Sequence, residues 1–268
     1  MSALKIAVTG AAGRMGQTLI RYIDQTDGCT LAGATEALGH DAIGQDVGVL
    51  TGLGAMGIVV SDQAAAVFDG AEAVIDFTLP GATLAHAELT ADRGLIHVIG
   101  TTGLTQDQET AIQSAAAKAV IVKSGNMSLG INLLAHLVKQ TAALLDDDFD
   151  IEILEMHHRH KVDAPSGTAL LLGAAAAEGR GVDLADKSDR ARDGHTGERG
   201  RGQIGFAVMR GGSVVGEHKV LFAADSERIE LSHIAEDRGI FARGALRAAL
   251  WARDREPGLY SMTDVLGF

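Results

Sequence analysis

The sequence predicts an α/β protein: a Rossmann-type domain with a parallel sheet, followed by a smaller α+β domain with a mixed or antiparallel sheet. Three observations predict it. Short apolar runs alternate with amphipathic stretches of helical length through the first 128 residues, and a glycine-rich turn joins the first run to the first stretch. From Ile204 the pattern changes to successive apolar runs separated by tight turns.

The apolar run "LKIAVTG" (residues 4–10) reads as a strand, and "RMGQTLIRYIDQ" follows with Met15, Leu19, Ile20 and Ile23 at helical spacing. "TLAGATE" gives a second strand ending at Glu36. "AEAVIDFT", "IHVIGTTG" and "AVIVKSGN" read as further strands, separated by the helices "GATLAHAELTADRG" and "DQETAIQSAAAK". Helices of that length between strands imply right-handed crossovers and a parallel sheet.

Next comes an amphipathic helix, "SLGINLLAHLVKQTAALL", closed by the acidic run "DDDFD", which reads as a solvated boundary. "FDIEILEMHH" is a strand, "SGTALLLGAAAAEG" a helix and residues 183–203 a long polar loop. Residues 204–235 read as three or four antiparallel strands joined by "GG" and "DSE" turns. The helix "GIFARGALRAALWAR" is expected to pack back on the first domain. The expected limits are 1–128, completed by 238–268, for a dinucleotide-binding domain, and 129–237 for substrate binding and oligomerisation.

Composition narrows the function. A net charge of −12 argues against a nucleic-acid or anionic-membrane partner. A single cysteine, Cys29, suits a reducing compartment, and no run reaches the roughly 18 apolar residues of a membrane span. The N-terminus enters a strand with no signal-peptide pattern, so a cytoplasmic location is expected.

"GAAGRMG" supplies Gly10, Gly13 and Gly16 between the first strand and first helix. A dinucleotide pyrophosphate needs a tight turn, close backbone approach and amides aimed from a helix N-terminus. The spacing G-x-x-G-x-x-G is weak evidence alone, but Glu36 falls where an acid meets the adenosine ribose. Residues 31–45 contain no Lys or Arg to meet the 2′-phosphate of NADPH, and Arg14 is the one cation in the turn. NADH is therefore expected to serve at least as well as NADPH. The loops "GTTG" and "SGNMS" close strands, at the end of the sheet where ligands of open α/β sheets bind.

The segment "EMHHRHKVDAPSGTALLLG" places His157, His158, Arg159, His160 and Lys161 together. A metal site fits poorly, because the side chains of a strand alternate in direction and two cations intervene. A solvated basic loop is the plain alternative. The functional reading is an anion pocket that donates protons: Lys161 and a histidine meet a carboxylate, and Ser166 caps a helix whose Gly167 and Thr168 amides grip another. With a nicotinamide domain, this describes a reductase of a small anionic substrate.

"EMHHRHKVDAPSGTAL", "GAAGRMG", "VIDFT", "IGTTG", "NMSLGINLL", "IGFAVMRGGSVVGEH" and "FARGALRAALW" together resemble the 4-hydroxy-tetrahydrodipicolinate (dihydrodipicolinate) reductase family over nearly the whole chain. The resemblance implies a two-domain homotetramer of the diaminopimelate–lysine pathway that reduces a small dicarboxylate with NADH or NADPH. It implies His157 as general acid/base, Lys161 as proton donor, His158 as substrate contact and Gly167 and Thr168 as carboxylate-holding amides. For the cofactor it implies Gly10, Ala11, Ala12, Gly13, Arg14, Met15, Glu36, Gly100, Thr101, Thr102, Ser124, Gly125, Asn126 and Met127. The family often carries Arg after the ribose-binding acid, where this chain has Ala37. Two other readings fit the fold: a semialdehyde or sugar dehydrogenase, and a nucleotide sensor without catalysis. The first lacks a suitably placed cysteine, and the second has no use for the histidine segment.

Overall fold

The computed structural model describes residues 2–268. Contacts divide the chain into two compact units, one formed by Met1–Ser128 with Arg238–Gly267 and the other by Leu129–Asp237 with Phe268.

The first unit opens with β1 (Leu4–Thr9), α1 (Arg14–Gln25) and β2 (Cys29–Thr35). Leu19, Ile20 and Ile23 form the buried face of α1, as their spacing predicts, each contributing about 2 kcal/mol, while Met15 is only half-buried and Gly16 takes the buried place beside it. Glu36 follows the end of β2 directly. Residues 37–70, where the sequence shows no periodic run, form α2 (Val47–Thr51), β3 (Val60–Ser61) and α3 (Ala64–Phe68). These pieces are too short for periodicity to register; the buried ring of Phe68 anchors the last.

Then come β4 (Ala73–Asp76), α4 (Pro80–Arg93), β5 (Ile96–Ile99), α5 (Gln106–Ala115) and β6 (Val120–Lys123). Proline at the first position starts α4 and left-handed Gly94 ends it, while a Thr105–Gln108 capping box starts α5.

The second unit holds α6 (Leu129–Leu144), β7 (Asp150–His157), α7 (Gly167–Arg180), α8 (Leu184–Lys187) and β8 (Ser188–Asp189). It continues through β9 (Ile204–Arg210), β10 (Gly216–Ala223) and β11 (Arg228–Ala235). The chain returns to the first unit with α9 (Gly239–Ala252), β12 (Gly258–Tyr260) and α10 (Met262–Leu266).

The first sheet has seven strands in the order β12-β6-β5-β4-β1-β2-β3, every pair parallel. Helix α9 packs on α1 and on β4, β5 and β6, as its apolar period predicts. The second sheet, β11-β10-β7-β9-β8, is mixed.

Two sequence expectations are corrected here. Residues 183–203 are not wholly loop, because they contain α8 and the edge strand β8. The "GG" turn does not join an antiparallel pair: β9 runs parallel to β7, and β7 lies between β9 and β10. Local turn chemistry cannot reveal that a third strand intervenes. In the core of this unit, Ile151 and Ile153 of β7 and Phe222 of β10 lie against Leu172 and Ala176 of α7.

Candidate functional site

In the first unit the expected cofactor residues gather at the carboxyl ends of neighbouring parallel strands. Gly10 takes a positive φ of 64°, a conformation natural to glycine. The Ala11 amide donates to the Thr35 carbonyl at 3.0 Å, which ties the turn to β2. A Cβ on Gly16 would stand 2.1 Å from the Gly10 carbonyl oxygen, so α1 approaches the turn as closely as glycine allows. Gly13 is the N-cap of α1 and offers no side-chain cap; Arg14 and Met15 open its first turn. Backbone positive charge is thus presented beside the turn.

Glu36 reaches the same place. Its carboxylate accepts from the Ala12 amide at 2.9 Å and from the Ala37 amide at 3.0 Å. Arg238, the N-cap of α9, went unnoticed in the sequence; burial and the nearby charge of Arg14 lower its pKa, which puts a second cation close to Arg14.

The loop after β5 is held from below by a buried acid. Asp76 accepts from the Thr78 amide (2.8 Å), the Thr78 hydroxyl (2.6 Å) and the Thr101 hydroxyl (3.4 Å), and its second oxygen meets His86 Nδ1 at 2.8 Å. Burial pushes its pKa up, but the hydrogen bond with His86 and the nearby His97, whose Nε2 stands 3.5 Å away, outweigh this and hold Asp76 strongly ionised. The Phe77 ring closes on Gly100, where a Cβ would lie 2.2 Å away. Thr101 is buried, bonded by the Thr83 hydroxyl, while Thr102 is exposed. Next to it, the Ser124 hydroxyl donates to the Asn126 carbonyl at 2.8 Å, Asn126 Oδ1 accepts from the Ser128 amide, Gly125 lies against Thr102, and Met127 is buried.

In the second unit His157 is the last residue of β7, and residues 158–161 turn away, the Lys161 amide donating to the His158 carbonyl at 3.1 Å. The strand read as "FDIEILEMHH" therefore ends one residue early, at His157, and His158 already belongs to the turn. His158 and His160 face each other with ring centroids 6.3 Å apart, and Lys161 pairs with Asp163 at 2.8 Å.

Glu155, two residues before His157, shares its face of the strand and is 1% exposed. Its Oε2 meets His157 Nδ1 at 2.5 Å, and its Oε1 accepts from the Ser166 amide at 2.9 Å. Arg210 of β9 grips both oxygens at 2.7 and 2.9 Å. Ser166 caps α7 by accepting from the Ala169 amide at 3.1 Å, with Gly167 and Thr168 ahead of it in the first turn. One carboxylate thus orients the imidazole and anchors the helix start.

Burial raises the Glu155 pKa, but Arg210, His157 and the Ser166 amide more than offset it, so Glu155 stays ionised. Burial lowers the His157 pKa; Glu155 opposes this, and the charges of Lys161 and Arg210 assist it. The sequence reading missed Glu155 and Arg210. The E-x-H spacing on a strand signals the first, whereas the second becomes visible only through the β7–β9 register that pairs His157 with Arg210.

Comparison with known proteins bears on the identity of this arrangement. Residues 4–127 match "Dihydrodipicolinate reductase, N-terminus" and residues 130–266 match "Dihydrodipicolinate reductase, C-terminus". The chain belongs to the dihydrodipicolinate reductase family. The 4-hydroxy-tetrahydrodipicolinate reductase of Afipia carboxidovorans is 61% identical over 267 residues, covering 100% of this chain and 98% of that protein. The enzyme of the same name from Chelativorans sp. is 61% identical over 269 residues, covering 100% and 97%. Among solved structures, dipicolinate-bound dihydrodipicolinate reductase from Paenisporosarcina sp. TG-14 superposes with a TM-score of 0.73 at 24% identity, covering 98% of each chain. The amine dehydrogenase of Mycobacterium smegmatis shares the fold more loosely, with a TM-score of 0.62 at 12% identity over 97% of this chain and 95% of that one.

Proposed function

We propose that this chain reduces 4-hydroxy-tetrahydrodipicolinate to tetrahydrodipicolinate with loss of water, using NAD(P)H, in diaminopimelate and lysine biosynthesis. The observation that carries the reading is the buried Glu155 carboxylate, which bonds both His157 and the Ser166 amide. A proton-transfer group and a helix start suited to a carboxylate are thereby fixed to one point. The family match narrows the substrate from any small anion to this dicarboxylate.

The cofactor's contribution, when bound, is a hydride to the conjugated imine left by dehydration. The residues present fit such a group, because Gly16 lets α1 close against the glycine turn, where any Cβ would strike the Gly10 carbonyl, and the helix start has no side-chain cap to occupy its amides. Gly10, Ala11, Ala12, Gly13, Arg14 and Met15 would hold the pyrophosphate, and Glu36 the adenosine ribose. Gly100, Thr101, Thr102, Ser124, Gly125, Asn126 and Met127 would border the nicotinamide.

His157 acts as general acid/base, its ring held by Glu155 Oε2. Lys161 leaves Asp163 to deliver a proton, His158 contacts the substrate, and the Gly167 and Thr168 amides hold a carboxylate. NADH serves at least as well as NADPH, because Ala37 offers no guanidinium beside Glu36 and the cations near the turn are Arg14 and Arg238. No helix among the described residues is long and apolar enough to cross a membrane; the working compartment is the cytoplasm. The assembly is a homotetramer. Met209 and Ile234 leave apolar surface exposed on the face of the mixed sheet opposite Glu155 and α7, and a further copy would cover it.

The test is cofactor oxidation, with NADH and NADPH in parallel, on substrate freshly made from pyruvate and aspartate semialdehyde. Wild type turns over, and His157→Ala and Lys161→Ala each lose about 10²-fold or more in kcat while binding NADH normally. A folded wild type that binds NADH but does not turn over sinks the assignment.

A further inference from the structure

One buried histidine, absent from the roles above, touches both arms of the Glu155 site. His218 lies on β10, in register with Glu155 of β7 on one side and His233 of β11 on the other. It is 5% exposed. Its Nε2 stands 3.1 Å from the Ser166 hydroxyl, and its ring meets that of His157 edge-on, with centroids 5.0 Å apart at 74°. Its Nδ1 is buried with no protein partner among the described residues, so Ser166 is the one protein group that fixes the ring by a hydrogen bond.

Gly216, two residues earlier on the same face, leaves room for this packing. A Cβ there would stand 3.0 Å from His157 Nε2 and 3.6 Å from His218 Cε1.

These contacts close a ring. Glu155 Oε2 holds His157, the His157 ring lies against His218, His218 holds the Ser166 hydroxyl, and the Ser166 amide returns to Glu155 Oε1. The Ser166 hydroxyl also accepts from the Ala169 amide at the start of α7. A serine cap is useful only in the rotamer that points at that amide. Whichever of Ser166 and His218 donates, their bond restrains the hydroxyl from the opposite side.

We infer that His218 is a positioning residue of the reductase site, locking the cap of α7 in register with the His157 ring. The inference rests on the reductase reading given above. It assigns His218 two separable contributions: the bond to Ser166 supports substrate-carboxylate affinity, and the ring contact supports the orientation of His157.

Two polar variants separate them. His218→Gln places an amide near the Nε2 position and can reach Ser166; His218→Asn is one methylene too short. The readouts are KM, kcat and the Kd of pyridine-2,6-dicarboxylate, with NADH affinity and circular dichroism at wild-type values as the controls for folding. His218→Asn is expected to raise KM and dicarboxylate Kd about tenfold, the size of one lost hydrogen bond. His218→Gln should stay within about threefold of wild type in both, while both variants lose kcat through the missing ring contact. Ser166→Ala must raise the Kd by a factor similar to that of His218→Asn, and combining the two must add little more.

Equal dicarboxylate affinities for the Asn and Gln variants, whether intact or equally weakened, would overturn the proposal. So would additive losses in the Ser166→Ala combination. A wild type that binds NADH but neither turns over nor holds the dicarboxylate points instead to failure of the reductase reading itself.

Discussion

Glu155 keeps its charge at 1% exposure because donors from three directions meet it: Arg210, His157 and the Ser166 amide. Removing the guanidinium leaves a buried carboxylate short of its strongest partner. Arg210→Met is therefore expected to cost about 3–5 kcal/mol, read as a lower urea midpoint at unchanged slope. The same carboxylate sets the behaviour of His157 with pH. Burial drives the His157 pKa below its ordinary value of 6.5 while Glu155 pulls it back up. In Glu155→Gln the pull is gone, so the imidazolium is lost at a lower pH than in wild type. The alkaline fall of kcat should move to lower pH in that variant. A limb that stays in place would show that a group other than His157 governs it.

At the level of elements, close approach decides function more than capping does. A methyl group at position 16 would collide with the Gly10 carbonyl at 2.1 Å and part α1 from its turn. Gly16→Ala is expected to weaken NADH binding by at least about tenfold, measured by fluorescence titration, with the β7–α7 residues untouched. This element was legible in advance, because a strand, a glycine turn and a helix leave local marks in the sequence. So did the Ser166 cap and the buried face of α1. Residues 37–70 were not legible, since two-residue strands and five-residue helices carry no measurable period. The β9–β7 pairing was hidden for a different reason: two strands separated by some fifty residues meet through topology, and Arg210 reaches Glu155 only because of it. Asp76, by contrast, stood in plain view in "VIDFT", but nothing local announces that His86 and His97 will converge on it.

For the whole molecule, the exposed apolar residues of the mixed sheet give the quaternary prediction. Light scattering after gel filtration should give a mass four times that of the 27.8 kDa chain, and Ile234→Lys combined with Met209→Lys should reduce it while leaving the fold intact. The division of the chain has a consequence of another kind. Helix α9, whose buried residues include Ala242, Ala245, Leu246 and Ala249, belongs with β4, β5 and β6 but is encoded after the entire second unit. During translation those strands emerge early and then wait for residues 129–237 to be made, roughly 5–20 s at ordinary rates of synthesis. Throughout that interval the nascent sheet offers an uncovered apolar face to solvent, the kind of surface that chaperones acting before release from the ribosome would shield.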